Sequence, residues 1–264
     1  MMPDIYPSLL YLWDKRTLYI GPLFEPLALS QGAATLALAL DKPISFMTQR
    51  MTTPIECWSL LLPAGLSVTV DTGDAIVANC NLDAVGADFF ALSCRMQYRQ
   101  EGVSYSLKDE QDVIAGCLDM YRSSMDSNGA FERLDQLLKI DEILVSNDYV
   151  VDQRVVDVIA QIKLSIDDNL SVDDLAKSVN LSVPRLVQLF KHQTGVPIRR
   201  YRLWHRLYVT AVRIGRGETL TDAAIAAGFT DSSHCSHTFR SMLGIKPSLI
   251  LSQPNKIRIF SPHS

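Results

Sequence analysis

Histidine is scarce in this chain of 264 residues, which holds five histidines, and the first of them is His192. Metalloenzymes commonly bind transition metals through clustered histidines and a carboxylate, and nucleophilic catalysis often pairs serine or cysteine with histidine. Residues 1–191 therefore cannot supply a site of either kind. The sequence also lacks a glycine-rich phosphate loop. We therefore expect no enzyme and no cofactor.

Cysteines are few and scattered, at positions 57, 80, 94, 117 and 235, and none lies in a C-x-x-C motif. Such a set is typical of reduced thiols in a cytosol. The most apolar stretch, Ala33 to Leu40, is far shorter than the roughly 18 residues expected of a membrane span. Met1 to Leu10 lacks the basic start of a signal peptide. We therefore expect a cytoplasmic protein without a membrane partner.

Acidic residues are scarce in the C-terminal part of the chain. Residues 1–150 carry 10 basic and 20 acidic residues, whereas residues 151–264 carry 15 basic and 9 acidic ones. Ala176 to Gly217 holds nine basic residues and no acidic one. This asymmetry predicts a nucleic-acid-binding module joined to a module that does not bind nucleic acid. A polar stretch begins at Ser146, so we predict two domains, residues 1–148 and 149–264.

Asp222 to Gly244 has the pattern of a helix-turn-helix. Its first helix is rich in alanine, and Gly228 ends it with left-handed backbone angles. Thr230 or Asp231 is expected to cap a second helix over about Ser232 to Leu243. The positions that this second helix is expected to bury are Cys235, Phe239 and Met242. The side chains left facing outward, which can bond to base edges and phosphates, are Ser232, Ser233, His234, Ser236, His237 and Arg240.

Ser171 to Gly195 repeats this pattern earlier in the chain. Ser171 and Asp174 have the spacing of a capping box, and Thr219 and Asp222 repeat it 48 residues later. Two such units in tandem arise by chance far less often than one. The residues expected in the core of the second helix are Leu186, Leu189 and Phe190. Those expected to face outward, toward DNA, are Pro184, Arg185, Val187, Gln188 and Lys191.

Three outward residues have alternative interpretations. The amide of Gln188 can pair with both hydrogen-bonding groups of an adenine edge, or it can simply face solvent. His234 and His237, three residues apart, suit base or phosphate contacts, and they also suit a metal ion, although no third ligand is evident.

A long helix is predicted between the units, from Pro197 to about Arg216. It would span about 30 Å at 1.5 Å per residue, close to the roughly 34 Å of one DNA turn. It can therefore hold two recognition helices at successive major grooves. The apolar face contains Tyr201, Trp204, Leu207, Tyr208, Ala211 and Ile214. The arginines on the other side, expected on phosphates, are Arg199, Arg202, Arg206, Arg213 and Arg216.

The alternative for these arginines is a solvated face or, for Arg206, an internal ion pair with a carboxylate such as Asp222. His192 and His205 are expected at the surface or near phosphates.

Residues 1–106 predict β structure, with short apolar runs separated by turn signals, as in a barrel or sandwich. Leu9–Trp13 and Thr17–Ile20 predict a hairpin, Glu56–Leu62 predicts one strand and Asp88–Leu92 another. Aromatic side chains could line an effector pocket or simply pack in the core; they are Trp13, Phe24, Phe46 and Trp58.

Residues 108–145 predict two helices with apolar stripes, separated by a turn at Ser127-Asn128-Gly129. The stripes could form the interface of a homodimer, or the helices could simply cover the core of the β domain.

The motifs resemble those of the AraC/XylS-type transcriptional regulators. Gly228 to Pro247 reads GFTDSSHCSHTFRSMLGIKP and is similar to the family run GF-x-D-x-S-x-F-x-R-x-F-[KR]-x-x-x-G-x-x-P. Leu175 to Gly195 is similar to the family's first unit, and the resemblance covers about residues 152–250. It departs at Gln188 and His237, where the family usually has arginine, and after Pro247, where Ser-Leu-Ile replaces the common Tyr-Arg ending.

The resemblance implies an α+β protein. It would have an N-terminal cupin-like β-roll domain with two following helices, and an all-α C-terminal domain with two helix-turn-helix units joined by a long helix. The implied partners are double-stranded promoter DNA and RNA polymerase, with a small-molecule effector and a homodimer through residues 108–145 as open expectations. The implied function is a sequence-specific regulator, by family habit an activator. The alternatives are a β-roll enzyme fused to a DNA-binding domain and an architectural DNA binder.

Overall fold

The N-terminal part of the chain is built on two β-sheets. The computed structural model describes residues 6–23, 27–30, 32–166, 170–243 and 257–261. The strands are β1 Ser8–Leu12, β2 Thr17–Pro22, β3 Leu27–Ser30, β4 Thr35–Ala39, β5 Ile44–Met47, β6 Ile55–Cys57, β7 Ser59–Leu62, β8 Ser67–Asp71, β9 Ile76–Asn81, β10 Met96–Gln100, β11 Val103–Leu107 and β12 Ile257–Phe260. Among these residues, the larger sheet has the order β10-β11-β7-β4-β9-β2-β1-β12 and the smaller one β3-β8-β5-β6. With the helices described below, the predicted α+β class is confirmed.

The first hairpin forms where the turn residues predict it. β1 and β2 pair antiparallel with Leu9 opposite Ile20 and Leu12 opposite Thr17. The backbone N–H of Trp13 donates to the carbonyl of Arg16 at 3.0 Å and closes the turn. This prediction is confirmed.

The strand predicted over Glu56–Leu62 is divided between the two sheets. β6 pairs with β5 in the smaller sheet, whereas β7 pairs with β4 and β11 in the larger one. Trp58 lies between them and packs against both hydrophobic cores. The chain thus turns a corner from one sheet to the other, which a continuous apolar run does not reveal.

The strand predicted over Asp88–Leu92 is wrong, because this segment lies in helix α1, Ala87–Ser93. The N–H of Asp88 donates to the Asp83 carboxylate at 2.9 Å, and the N–H of Asp83 donates to Asp88 at 3.2 Å. Arg16 binds the Asp88 carboxylate with two hydrogen bonds, at 2.5 and 2.8 Å, in a buried pair. The carboxylates of Asp83 and Asp88 thus accept from backbone N–H groups that in a strand would bond to a neighbouring strand.

Three helices, rather than the two predicted, follow the sheets: α2 Glu110–Ser123, α3 Ser127–Leu138 and α4 Ile140–Ser146. The turn predicted at residues 127–129 is the first turn of α3, because the Asp126 carboxylate caps it by accepting from the N–H groups of Asn128 and Gly129. The apolar stripe of α2 belongs to the same buried cluster as Leu9 and Tyr11 of β1. The helices therefore cover the core of the β domain.

The described aromatic residues proposed for an effector pocket pack in the protein core instead. Trp13 stacks on Tyr11 with ring centroids 5.2 Å apart, and Phe46 packs on Tyr105 at 5.5 Å. Phe24 lies outside the described residues.

The C-terminal part is helical, as predicted. Its helices are α5 Gln153–Leu164, α6 Val172–Ser178, α7 Val183–Thr194, α8 Ile198–Gly215, α9 Leu220–Ala226 and α10 Ser232–Leu243. The predicted long helix is α8, which has Pro197 as its N-cap.

The two parts of the chain share one hydrophobic core. The buried cluster that contains Leu10 and Tyr19 of the large sheet also contains Trp204 and Leu207 of α8 and Phe239 of α10. Because apolar burial is continuous across the junction, the charge break near residue 150 does not separate two independent cores.

Polar contacts also cross this junction. Lys163 of α5 forms an ion pair with Asp14 of the first turn at 2.8 Å. The Gln193 side-chain amide donates to the Val85 carbonyl at 3.1 Å and to the Tyr149 hydroxyl at 2.9 Å.

The C-terminal strand β12 pairs in parallel with β1, so residues 257–260 lie in the N-terminal sheet. Phe260 stacks on Tyr11 with centroids 4.8 Å apart. A Cβ at Gly215 of α8 would lie 2.8 Å from Ile259, so a glycine permits this approach. The chain thus returns across the junction, which the single predicted boundary near residue 148 did not anticipate.

His205 is buried in α8, although we expected it at the surface. Its ring lies between those of Tyr201 and Tyr208, with centroid distances of 6.4 and 6.0 Å. Burial, and next the charge of Lys163, lower the pKa of His205 to about 4. The imidazole is therefore neutral in the folded protein at pH 7.

We predict that Phe260→Ala weakens the attachment of β12 to β1. The loss of a half-buried ring that stacks on Tyr11 should lower the free energy of unfolding by about 1–3 kcal/mol. It should also speed hydrogen exchange at the amides of β1. Arg258→Ala, at an exposed position of the same strand, is the control and should leave both unchanged. Equal exchange rates in wild type and Phe260→Ala would contradict this role.

We predict that His205 makes the protein less stable in mild acid. The pKa of His205 is lowered in the folded state, so between pH ~6.5 and about 4 the imidazole takes up a proton only in the unfolded chain. The free energy of unfolding therefore falls as the pH drops from about 6.5 to about 4. His205→Phe should flatten this part of the stability profile by about 2–4 kcal/mol. His192→Phe, at an exposed position, is the control. A wild-type-like pH profile for His205→Phe, measured by denaturant titration, would refute the assignment.

Candidate nucleic-acid interface

The first helix-turn-helix consists of α6 and α7. The Ser171 hydroxyl caps α6 by accepting from the Asp174 N–H at 3.0 Å and donates to the Asp174 carboxylate at 2.6 Å. The short turn includes Asn180 at a φ of 54°. Leu186 and Phe190 anchor α7 in the core with no exposed surface. The capping box predicted from the sequence is thus formed.

The second unit, α9 and α10, repeats this construction. The Thr219 hydroxyl accepts from the Asp222 N–H at 3.2 Å and donates to its carboxylate at 2.6 Å. Gly228 has a φ of 81°, as the turn requires. The Asp231 carboxylate accepts from the His234 N–H at 2.7 Å and is the cap of α10.

The predicted outward face of α7 is exposed to solvent. Its residues are Pro184, Arg185, Val187, Gln188 and Lys191. The guanidinium of Arg185 donates to the Gln188 amide oxygen at 3.0 Å. This pairing was not predicted, although residues three apart on a helix are neighbours and the spacing could have indicated it. The two side chains therefore present their hydrogen-bonding groups together.

The predicted outward face of α10 is exposed at Ser233, His234 and His237 and half-buried at Ser232. The ring of His234 stands edge-on to Phe229, with centroids 5.4 Å apart. Arg240 lies on α10, but its side chain is outside the described residues, as is Met242. The opposite face buries Cys235 and Phe239, as predicted.

The five arginines predicted to contact phosphates do not form one free basic face. Arg199 is exposed near the start of α8, and Arg216 is exposed just after its end. Arg213 forms an ion pair with Glu218 at 3.0 Å. The other two, Arg202 and Arg206, are half-buried against the end of α5.

Arg202 and Arg206 contribute to the packing of the helices. The Arg202 guanidinium donates to the Leu170 carbonyl, and burial lowers the pKa of this group. A Cβ at Gly228 would lie 3.2 Å from both the Arg206 guanidinium and the Ile166 carbonyl, so all three groups lie close together. This arrangement supports an internal role for Arg206. Its neighbours here are Gly228 and Ile166, whereas the sequence suggested Asp222.

Helix α8 separates the two units by its own length. Its 18 residues span about 27 Å at 1.5 Å per residue, close to the roughly 34 Å between major grooves on one DNA face. DNA contact itself stays a prediction for every residue of α7, α8 and α10 named above.

The described part of the chain shows neither a cluster of metal ligands nor a membrane-spanning helix. No group of three or more histidine, cysteine, aspartate or glutamate residues there could hold a metal ion. No helix there combines the length and apolar character needed to cross a membrane.

Comparisons with known proteins agree with this architecture. Residues 175–253 match the family model of a helix-turn-helix domain. The chain is 33% identical over 97 residues to the transcriptional activator RhrA of Rhizobium meliloti (strain 1021). The matched region covers 34% of this chain and 31% of RhrA. The chain thus spans about a third of the length of this relative.

Solved structures of ToxT from Vibrio cholerae share the fold over nearly the whole chain. ToxT from strain O395 is 14% identical, with a TM-score of 0.55 over 94% of this chain and 98% of that one. ToxT of strain SCE256 with an unsaturated fatty acid bound is also 14% identical, with a TM-score of 0.52 over 93% and 94%. Residues 175–253 thus contain a helix-turn-helix domain, the motifs of both units resemble those of the AraC/XylS-type regulators, and the chain shares the fold of ToxT.

Proposed function

We propose that this protein is a sequence-specific regulator of transcription that binds double-stranded promoter DNA through both helix-turn-helix units. The observation that carries the proposal is the pair of solvent-exposed recognition helices, α7 and α10, joined by one continuous helix of suitable length. Each exposes side chains that donate and accept hydrogen bonds, as base reading in a major groove requires.

The charges of the described residues support this orientation. Lys191 and Arg185 are exposed on α7, and Arg199 is exposed at the start of α8. Cations at the margins of a recognition helix can contact phosphates and set the register on the duplex. The acidic N-terminal part packs against Trp204 and Leu207 of α8 and would be repelled by DNA.

Activation of transcription and contact with RNA polymerase are the finer parts of the proposal. RhrA is described as a transcriptional activator, and it is 33% identical to the present chain over 97 residues. We therefore favour activation over repression.

Control by a small molecule is a further part of the proposal. A ToxT structure holds an unsaturated fatty acid, and the N-terminal sheet of the present chain packs directly on α8 and α10. A ligand at that junction could change how the recognition helices are held. A homodimer through residues 108–145 would have to use the outer faces of α2 and α3, because their apolar stripes are buried in the chain.

Selection of binding sites from random DNA with the full chain tests the proposal. A regulator with two base-reading helices should prefer its selected site over random DNA by about 10³ or more. An architectural protein would bind all sequences similarly, and no binding at low salt would defeat the proposal altogether.

We predict that Gln188→Ala relaxes this preference at one or two base pairs, by about 1–3 kcal/mol each, without changing the salt dependence. The reason is that its amide reads a base edge and carries no charge. His192→Ala, an exposed change on the same helix, is the control. Unchanged base preference in Gln188→Ala, measured on a panel of single-base variants, would mean that α7 docks differently.

We predict that Arg199→Ala and Arg206→Ala have different effects. Arg199 is exposed, so its loss should lower the salt slope of DNA binding by about one unit for all sequences. Arg206 packs beside Gly228, so its loss should lower stability by about 1–3 kcal/mol and change the slope little. Thermal unfolding and binding at several salt concentrations measure both effects. If Arg206→Ala lowered the salt slope of DNA binding and left stability unchanged, Arg206 would be a DNA phosphate contact instead.

A further inference from the structure

A cavity of about 40 Å³ lies at the junction between the large sheet and the DNA-binding helices. It is lined by Leu10 and Leu12 of β1, by Trp204 and Leu207 of α8, and by Phe239 of α10. Since a water needs roughly 10–15 Å³ of such space, the cavity has room for about three water molecules, or for a small organic molecule.

The side chains around this cavity are apolar or uncharged. Its two tyrosines stay neutral, because burial raises the pKa of Tyr19 and of Tyr208 to about 12. The Tyr19 hydroxyl donates to the Pro22 carbonyl at 2.8 Å and lies 3.0 Å from the Ser8 hydroxyl, so it is already engaged. An anion placed here would lose its hydration and meet only neutral groups.

Two asparagines of β9 face this cavity and differ in their partners. The Asn81 amide donates to the Thr17 hydroxyl at 2.9 Å and accepts from the Thr35 hydroxyl at 3.0 Å. Asn79, two residues earlier on the same face of the strand, is half-buried. Its amide has no hydrogen-bond partner among the described residues. A half-buried amide without a partner can bind a ligand that supplies one.

Asn79 also lines a second, smaller cavity between the two sheets, of about 10 Å³. The walls of that cavity are apolar as well, and include Ile44, Leu60 and Val70. The amide therefore stands between two apolar spaces, where one polar group of a ligand could bond to it while the remainder of the ligand stays in apolar surroundings.

We propose that the junction cavity is an effector site for a small, uncharged and mainly apolar molecule whose single polar group bonds to the Asn79 amide. A primary amide fits this description best, because it donates and accepts as the asparagine amide does. An alcohol or a ketone would make one of these two bonds. The carboxylate of a fatty acid would find no charged partner in the described walls. The proposal rests on the proposed function, since the site matters through the helices that it touches.

The position of the site explains how such a molecule would act on DNA binding. The wall residues Trp204 and Leu207 belong to α8, which joins the two helix-turn-helix units, and Phe239 anchors α10. Protein interiors are close-packed, so a ligand between the sheet and α8 fixes their separation.

Butanamide and butanoate are the probes, because they have the same size and shape and differ in charge. The full chain, with its tryptophan indoles labelled by ¹⁵N, is titrated with each at pH 7.5. Of its three tryptophans, Trp13, Trp58 and Trp204, only Trp204 is among the described residues that line the cavity. We expect butanamide to shift the Trp204 signal and to bind at least about tenfold more tightly than butanoate.

Three variants locate the site. Asn79→Leu keeps the branched shape and the number of heavy atoms of the side chain but removes the amide, and should weaken butanamide binding by about tenfold. Ala211→Leu, which puts a larger side chain into the cavity wall, should abolish it. Asn147→Leu makes the same exchange at an exposed asparagine and should bind butanamide as the wild type does.

Equal affinity for the two probes, wild-type binding by Asn79→Leu, or no shift of the Trp204 signal at saturating butanamide would each overturn the proposal. DNA binding by the same preparation is measured in parallel. If butanamide fails to bind while sequence-specific DNA binding is intact, the effector site alone is overturned. If sequence-specific DNA binding is absent, the proposed function is overturned, and butanamide binding still decides whether the cavity is a ligand site.

Discussion

The packing of helix α8 against two neighbours at once is the constraint on which the rest of the structure depends. One face contributes Trp204 and Leu207 to a core shared with the large sheet, while Tyr201 packs on Phe190 of the first recognition helix. The helix therefore holds the recognition helices and the sheet in a single arrangement. Because interiors are close-packed, a displacement of α8 relative to the sheet would also disturb the two DNA-binding units.

This double burial determines what the polar residues of α8 do. His205 is enclosed between tyrosines and stays neutral, and Arg202 bonds to a backbone carbonyl of the connection before α6. A helical projection places Arg202 on the outward face of α8, yet its guanidinium bonds to a carbonyl just before the neighbouring helix α6. The exposed cations are left near the ends of α8, where Arg199 and Arg216 lie.

The two parts of the chain differ in charge but are joined in packing. Net charge reports on the surface, and the surface of the N-terminal part is acidic while that of the C-terminal part is basic. Burial follows apolar area instead, and the apolar area of the sheet and of α8 is covered by their mutual contact. The strand β12 reinforces this contact, with Ile259 against Gly215 and Phe260 on Tyr11.

The sequence by itself determined the helices of the DNA-binding part, their caps and their buried faces. Those signals are local: Ser171 reaches Asp174 and Thr219 reaches Asp222 within one helical turn, and apolar spacing marks Leu186 and Phe190. Only the tertiary structure decided the pairing of β12 with β1, the division of the run at Trp58, the burial of His205 and the cavity beside Asn79. Each depends on contacts between residues far apart in the chain, and a local pattern of residues carries no information about which distant surface will cover it.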